Sequence, residues 1–399
     1  MKDSEANLEE VRTQLSRIAN FLFFSMPNEA EPNEPIMDGG RLIGVRVHEM
    51  LHRFEIHQRL TRSGLQVQNQ VGQPEAQVHM TWRPIPDNFK ASPDAEIPPT
   101  PLDPTRPQRF MMHDGRFTIN GMPGTELRGF GTGTTLPVVI DGKPKLRLAA
   151  IVDVVEALGE FAGHSGMIVV NGHINPPDGL DLSILLRLTD GNEELLARTR
   201  LPRLRPIPPP DPEDLFLIFL GDSDPEDPIQ IRVNPEGQME GAVGPQRMRL
   251  VDVVFSTVSE KRAETRKIVS KTRLGHFMGR MDAMAWFDPF SGKPPFPFQT
   301  TDGVFTFYDR DGETLGTIHA NMTEGRALPT EIPGTSQPVY RVGGIAPATS
   351  GTGCFEDVVG LFTVSSFISL VPNVLSGIFI LQLSDAGHRL RKALAGGGR

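Results

Sequence analysis

The sequence predicts a mainly β protein made of two related halves, and three observations carry that expectation. Gly and Pro are both abundant, 40 and 36 of 399 residues, which favours many short strands and turns over long helices. The length exceeds what one ordinary core serves, so two domains are the default. The third observation is an internal repeat. Phe110-Met-Met-His-Asp114-Gly115-Arg-Phe117-Thr118 lines up with Phe298-Gln-Thr-Thr-Asp302-Gly303-Val-Phe305-Thr306. Gly159-Glu160-Phe161 matches Gly353-Cys354-Phe355, the run from Ile184 to Asp190 matches that from Phe379 to Asp385, and Met80-Thr81-Trp82 matches Met284-Ala285-Trp286. The only two tryptophans therefore occupy corresponding places, which points to core packing.

Taken in order, residues 1–38 are expected to form an amphipathic helix and a linker. Leu8, Val11, Leu15, Ile18 and Leu22 recur at helical spacing over Glu5–Phe24, and Met26–Asp38 reads as a mobile linker. Residues 39–200 form the first repeat, interrupted by a Pro-rich insertion, Pro84–Pro107, that has no equal in the second. Leu201–Pro212 is so rich in proline that it reads as a stiff, extended connector. The second repeat, 213–388, opens on two strands, Leu215–Leu220 and Ile229–Val233, around an acidic turn. Residues 389–399, with Arg389, Arg391 and Lys392, read as a basic, frayed tail.

One segment competes with this reading. Val358–Leu383 carries no charged residue and is longer than the roughly 20 residues a membrane helix needs. Pro372 and Asn373 fall near its centre and β-branched residues are frequent, so two buried strands, Gly360–Leu370 and Leu375–Leu383, fit better. The matching stretch of the first half, Ala162–Leu188, contains His164, His173, Asp178, Asp181 and Arg187. No transmembrane span is expected.

The formal net charge is −9, which gives no general electrostatic attraction to nucleic acid or to an anionic membrane. The single cysteine, Cys354, excludes an intrachain disulfide. Together with an N-terminus lacking the basic and apolar regions of a secretory signal, this suggests a cytoplasmic protein.

In the second half, Gly351-Thr352-Gly353-Cys354-Phe355-Glu356-Asp-Val358-Val-Gly360 resembles the Gly-Ser/Thr-Gly-x-Phe-Glu-x-Val-x-Gly segment of allene oxide cyclases, and dirigent proteins have a related Gly-Thr-Gly-x-Phe. The resemblance covers Phe298–Asp385 and, more faintly, Phe110–Asp190. It implies two antiparallel, calycin-like β-barrels, each of about eight strands around an apolar cavity. Members of that family cyclise or steer reactive lipid or phenolic intermediates without a cofactor. The family's first-strand Glu falls at Thr306 and its neighbouring Asn at Tyr308, with Thr118 and Asn120 in the first half. The family's carboxylate is therefore missing from both copies.

The second repeat is expected to carry the chemistry, because it holds both tyrosines and the cysteine. Tyr308 can donate a proton or orient an oxyanion. His319 can act as acid or base near neutral pH, and Tyr340 and Cys354 complete the catalytic candidates. Thr306, Asn321, Phe305, Phe307 and Phe355 are the candidates for binding substrate. Each also has a structural reading: a buried Tyr with a satisfied hydroxyl, a surface His, a small buried Cys.

The first half offers a different signal. His48-Glu49-Met50-Leu51-His52 matches His-Glu-x-x-His, which on a helix would place two imidazoles on one zinc ion with Glu49 as base. Its flanks, Gly44–Val47 and Phe54–Leu60, alternate like strands, which argues against that helix. Gly129-Phe-Gly131-Thr-Gly133 lacks the strand-to-helix context of a nucleotide loop and reads as a barrel bend. The expectation is thus a cofactor-independent cyclase or isomerase acting on an apolar fatty-acid-, terpenoid- or polyketide-like molecule, with a homodimer possible. A non-catalytic binding or steering protein and a zinc hydrolase are the alternatives.

Overall fold

The computed structural model describes residues 18–61, 64–120, 123–140, 142–175, 179–189, 205–207, 214–223, 226–228, 230–236, 239–243, 246–258, 267–286, 294–309, 311–330, 339–370, 373–384 and 389. Strands dominate. In the first half they are β1 (Ile18–Pro27), β2 (Glu34–Asp38), β3 (Arg41–Thr61), β4 (Gly64–Pro84), β5 (Gln108–Ile119), β6 (Glu126–Ile140), β7 (Lys143–Leu158), β8 (Gly166–Asn175) and β9 (Gly179–Thr189). Antiparallel pairing runs β1–β3–β4–β5–β6–β7–β8–β9, and β9 returns to β1, so eight strands close a barrel. Strand β2 sits outside this circuit, on the first residues of β3.

A short strand β10 (Arg205–Ile207) pairs with β4. Then follow β11 (Asp214–Ser223), β12 (Gln230–Val233), β13 (Met239–Val243), β14 (Gln246–Val258), β15 (Lys267–Trp286), β16 (Phe296–Pro297), β17 (Gln299–Tyr308), β18 (Thr314–Ala320), β19 (Glu324–Thr330), β20 (Val339–Gly351), β21 (Gly360–Leu370) and β22 (Asn373–Ser384). They build a second large antiparallel sheet in the order β11–β14–β15–β17–β18–β20–β21–β22, with β19 also on β20.

The repeat is visible in the backbone. Asp114 and Asp302 hold the same left-handed conformation, φ 53° and 54°, each inside a strand. Gly159 and Gly353 both have φ 64° and open a single 3₁₀ turn that buries Phe161 and Phe355. A Cβ there would lie 2.5 Å from the Gly124 carbonyl oxygen and 2.4 Å from that of Leu315. Glycine is required at both turns for space as well as for φ.

Two expectations for the N-terminus need correction. Ile18–Phe24, assigned to the end of a helix, belongs to strand β1, which pairs with both β9 and β3. A period-3.6 reading of Leu15, Ile18 and Leu22 cannot see that Phe21 and Phe23 alternate inward with Ala19. The linker reading of Met26–Asp38 fails as well: it ends in strand β2. The barrel thus begins at Ile18, before the boundary drawn at 39. The remainder of the helix, most of the 201–212 connector and all of the tail beyond 389 lie outside the described residues.

Three large cores organise the packing of the described residues. Inside the barrel, Leu148, Ala150 and Val152 of β7, Ile168 and Val170 of β8, and Leu182, Ile184 and Leu186 of β9 meet Phe21, Phe23, Phe110 and Phe117. The intervening residues face the other way: Ala149 and Ile151 of β7, Met167 and Val169 of β8 and Leu185 of β9 pack on Ile218, Ile345, Leu361, Ile378 and Ile380 of the second half. The third core belongs to the second sheet and is rich in phenylalanine. Strands β8, β9, β21 and β22 therefore bury both faces. This is why Val358–Leu383 carries no charge, and its two strands, Gly360–Leu370 and Asn373–Ser384, fall where the sequence put them. No helix among the described residues is long and apolar enough to cross a membrane.

The seam between the halves uses corresponding strands from each side. Arg326 of β19 donates to Thr132 Oγ1 and to the Ile151 carbonyl, and ion-pairs with Asp153 at 3.1 Å. Arg187 of β9 is fully buried there. It donates to the Ser376 carbonyl and, in a short bond of 2.5 Å, to that of Ser365, and its charge lies 5.1 Å from the Phe367 ring centroid. Burial pulls its pKa down to about 9. Four neutral acceptors, with Asn20 Oδ1 and Ser376 Oγ among them, take the place of a carboxylate.

Candidate functional site

The second-half candidates are not gathered at one place. Phe305 and Phe307 on β17 and Phe355 in the 3₁₀ turn are buried in the core, where Phe305 stacks on Phe362 at 4.1 Å and Phe307 meets Phe355 at 4.6 Å. Tyr340 on β20 joins this core, and burial raises its phenol pKa. Cys354 packs against the edge of the same core. Thr306 and Tyr308 alternate with the phenylalanines and turn to the opposite face of β17. His319 is exposed on β18, opposite Val304 and Ser350. Asn321 is exposed too, and its Oδ1 accepts from the Gly303 amide at 2.8 Å. Of the four catalytic candidates, only Tyr340 and Cys354 touch the apolar core.

Among the described residues, two cavities lie in the first half. A cavity of about 60 Å³ is lined by Val47, Met80, Trp82, Met112, Leu148, Leu182 and other apolar residues, and no polar atom faces it. A smaller one of about 20 Å³, lined by Val78, Phe117, Leu127, Val152 and Ile184 among others, continues along the barrel. Met80 and Met112 line both. The Pro-rich insertion contributes to the first cavity. It returns along the barrel so that the Leu102 amide donates to the Leu42 carbonyl at 2.8 Å, and both leucines form part of the wall. Its earlier part is pinned by Ile85, Phe89 and Ile97 against Met111 and Phe130.

The His-Glu-x-x-His match lies on strand β3, as its flanks predict, so it cannot act as the helical zinc motif. His52 is buried, with Nδ1 3.0 Å from the Gly72 carbonyl oxygen. Glu49 is 1% exposed and takes a 2.7 Å hydrogen bond from Asn33. Burial raises its pKa to about 7, against the Asn33 bond and helped by Asp181. His48 faces outward and meets His79 of β4, Nδ1 to Nδ1 at 2.9 Å, with Glu31 Oε1 3.3 Å from His48 Nδ1. Among the described residues, Glu31, His48 and His79 are a group of ligand-type side chains close enough to share an ion.

Sequence reading missed Met80, Met112, Leu102, Glu31 and His79. Trp82 carried a signal, as one of the aligned tryptophans, and it lines the larger cavity while also packing on Phe110 at 5.4 Å. No protein-family model, curated protein or solved structure matches this chain.

Proposed function

We propose that the first barrel binds a compact apolar small molecule in its interior, entering at the end walled by Leu42 and Leu102. The observation that carries this reading is the wholly apolar cavity. At about 60 Å³ it is smaller than the 150 Å³ or so that accommodates benzene in an engineered core. Two features provide the rest of the room. Met80 and Met112 line both the larger space and the smaller one, and the unbranched, flexible thioether is the apolar side chain that re-packs most readily. Leu102 belongs to a chain segment outside the barrel ladder, so moving it breaks no strand pairing.

The apolar lining favours binding or steering over acid–base catalysis. A cofactor-independent cyclase or isomerase at this site would work by confinement and orientation. The allene oxide cyclase or dirigent type of barrel remains the resemblance most consistent with eight antiparallel strands and a Gly-x-Phe turn. We extend it to the second half: its outer strands β11 and β22 also pair with one another, which supports reading that sheet as a second barrel.

The test is titration of Trp286→Phe protein with benzene and with short-chain fatty acids, following the emission of Trp82. Saturable change that Val47→Phe abolishes is the expected result. No response from Trp82, or a response unaltered by Val47→Phe, would overturn the proposal. Chemical conversion of the bound molecule would select the catalytic version.

A further inference from the structure

We propose that Glu31, His48 and His79 form a binding site for one divalent transition-metal ion, with zinc the best match to the ligands. The site is built from three chain segments on the outer face of the barrel. His48 of β3 and His79 of β4 are direct cross-strand partners, and Glu31 comes from the turn between β1 and β2. The donor atoms all lie within 4.8 Å of one another.

The distances suit a shared ion. Zinc bonds of about 2.0–2.1 Å at tetrahedral angles place neighbouring donors roughly 3.3 Å apart. Glu31 Oε1 stands 3.3 Å from His48 Nδ1, and the 2.9 Å between the two Nδ1 atoms needs to widen by only a few tenths of an ångström. The rings already stand at 82° with centroids 5.0 Å apart, so both imidazoles can turn a lone pair to one point without stacking. Two histidines and a carboxylate are a nitrogen and oxygen set that suits zinc, and cobalt can replace it as a probe.

The backbone beneath is held. The Glu31 amide donates to the Asn28 carbonyl at 3.1 Å. Asn33 Oδ1 accepts from the His48 amide at 2.7 Å while its Nδ2 donates to Glu49. Asn33 thus fixes the turn against the strand that carries His48, which is the supporting role outer residues play at metal sites. Glu31 is 53% exposed and His48 17%, so an ion can enter from solvent and keep a water in the fourth position. Bound metal would fasten the β1–β2 turn to the β3–β4 hairpin. This set shares only His48 with the His-Glu-x-x-His motif, because Glu49 and His52 are buried and otherwise engaged.

The experiment is calorimetric titration of the chelator-treated full chain with zinc chloride alone, followed by cobalt substitution. The expected result is one equivalent of zinc per chain, with affinity weakened more than about tenfold in His79→Ala and in Glu31→Gln and unchanged in His113→Ala. Cobalt should add visible ligand-field absorption and shift the ring protons of two histidines in the unmutated chain, a readout independent of whether a variant folds. Absence of stoichiometric binding, or binding undiminished in His79→Ala, would overturn the proposal. So would cobalt-shifted resonances from His52 in place of His79. The outcome does not depend on whether the barrel interior holds a ligand.

Discussion

The interior of the first barrel and the core of the second sheet differ in how they are filled. The first leaves apolar space around two methionines. The second is packed with aromatic rings: Phe305 on Phe362, Phe307 on Phe355 and Phe219. At corresponding positions of β8 and β21, Ile168 in the first half is matched by Phe362 in the second. At β9 and β22 the same exchange occurs between Ile184 and Phe379. The lesson is that one framework tolerates two fillings, because the glycine turns and the left-handed aspartates set the chain path while side-chain volume decides whether space remains.

This contrast is broken most severely by emptying the second core. Phe362→Ala is expected to cost about 4 kcal/mol, since a fully buried ring that stacks on Phe305 is lost from the core. Met112→Ala, beside existing space in the first half, should cost nearer 2 kcal/mol, the low end for that truncation. Urea denaturation of the two variants measures the difference.

Next in size is the seam that joins the halves. Asp153→Ala leaves Arg326 without its carboxylate and removes the charge that opposes desolvation of buried Arg341. A loss of about 3 kcal/mol is expected, because breaking one side of a buried pair strands the other. Thermal unfolding should then separate into two transitions if the seam is what couples the halves.

The smallest expected effect is the most diagnostic. Val47→Ile adds one methylene beside the larger cavity and should stabilise by roughly 0.8 kcal/mol. Val364→Ile adds the same group to the aromatic core of the second sheet and should destabilise by about 1 kcal/mol. Opposite signs in parallel denaturation curves would sharpen the distinction between the two cores, and equal signs would remove it.

Much of the fold was legible in advance. The repeat, the two strands of Val358–Leu383, the extended setting of His48 and the buried Trp82 could all be read from local pattern. The candidate sites could not. Choosing Tyr308 and His319 over the methionines assumed that polar side chains mark the interior, whereas both tyrosine and histidine sit on the outer face of β17 and β18. The His48–His79 pair was hidden for another reason. From the turn that pairs Thr61 with Gly64, an unbroken hairpin would set His48 opposite Gln77. Register shifts around Leu51–Phe54 advance the partner strand by two residues and bring His79 there instead.

By itself, then, the sequence determined that the chain is β-rich and carries matched motifs in its two halves, because turn glycines, alternating runs and repeated motifs are local properties of the chain. Tertiary structure alone decided which face of each strand looks inward. Strands β7 to β9 and β20 to β22 are covered by apolar atoms on both sides, one face by their own core and the other by the partner half. Such strands lose the alternation from which facing could be read. Bulges then shift the cross-strand partners, so the neighbours that make a cavity wall or a metal site are set by pairing across the sheet.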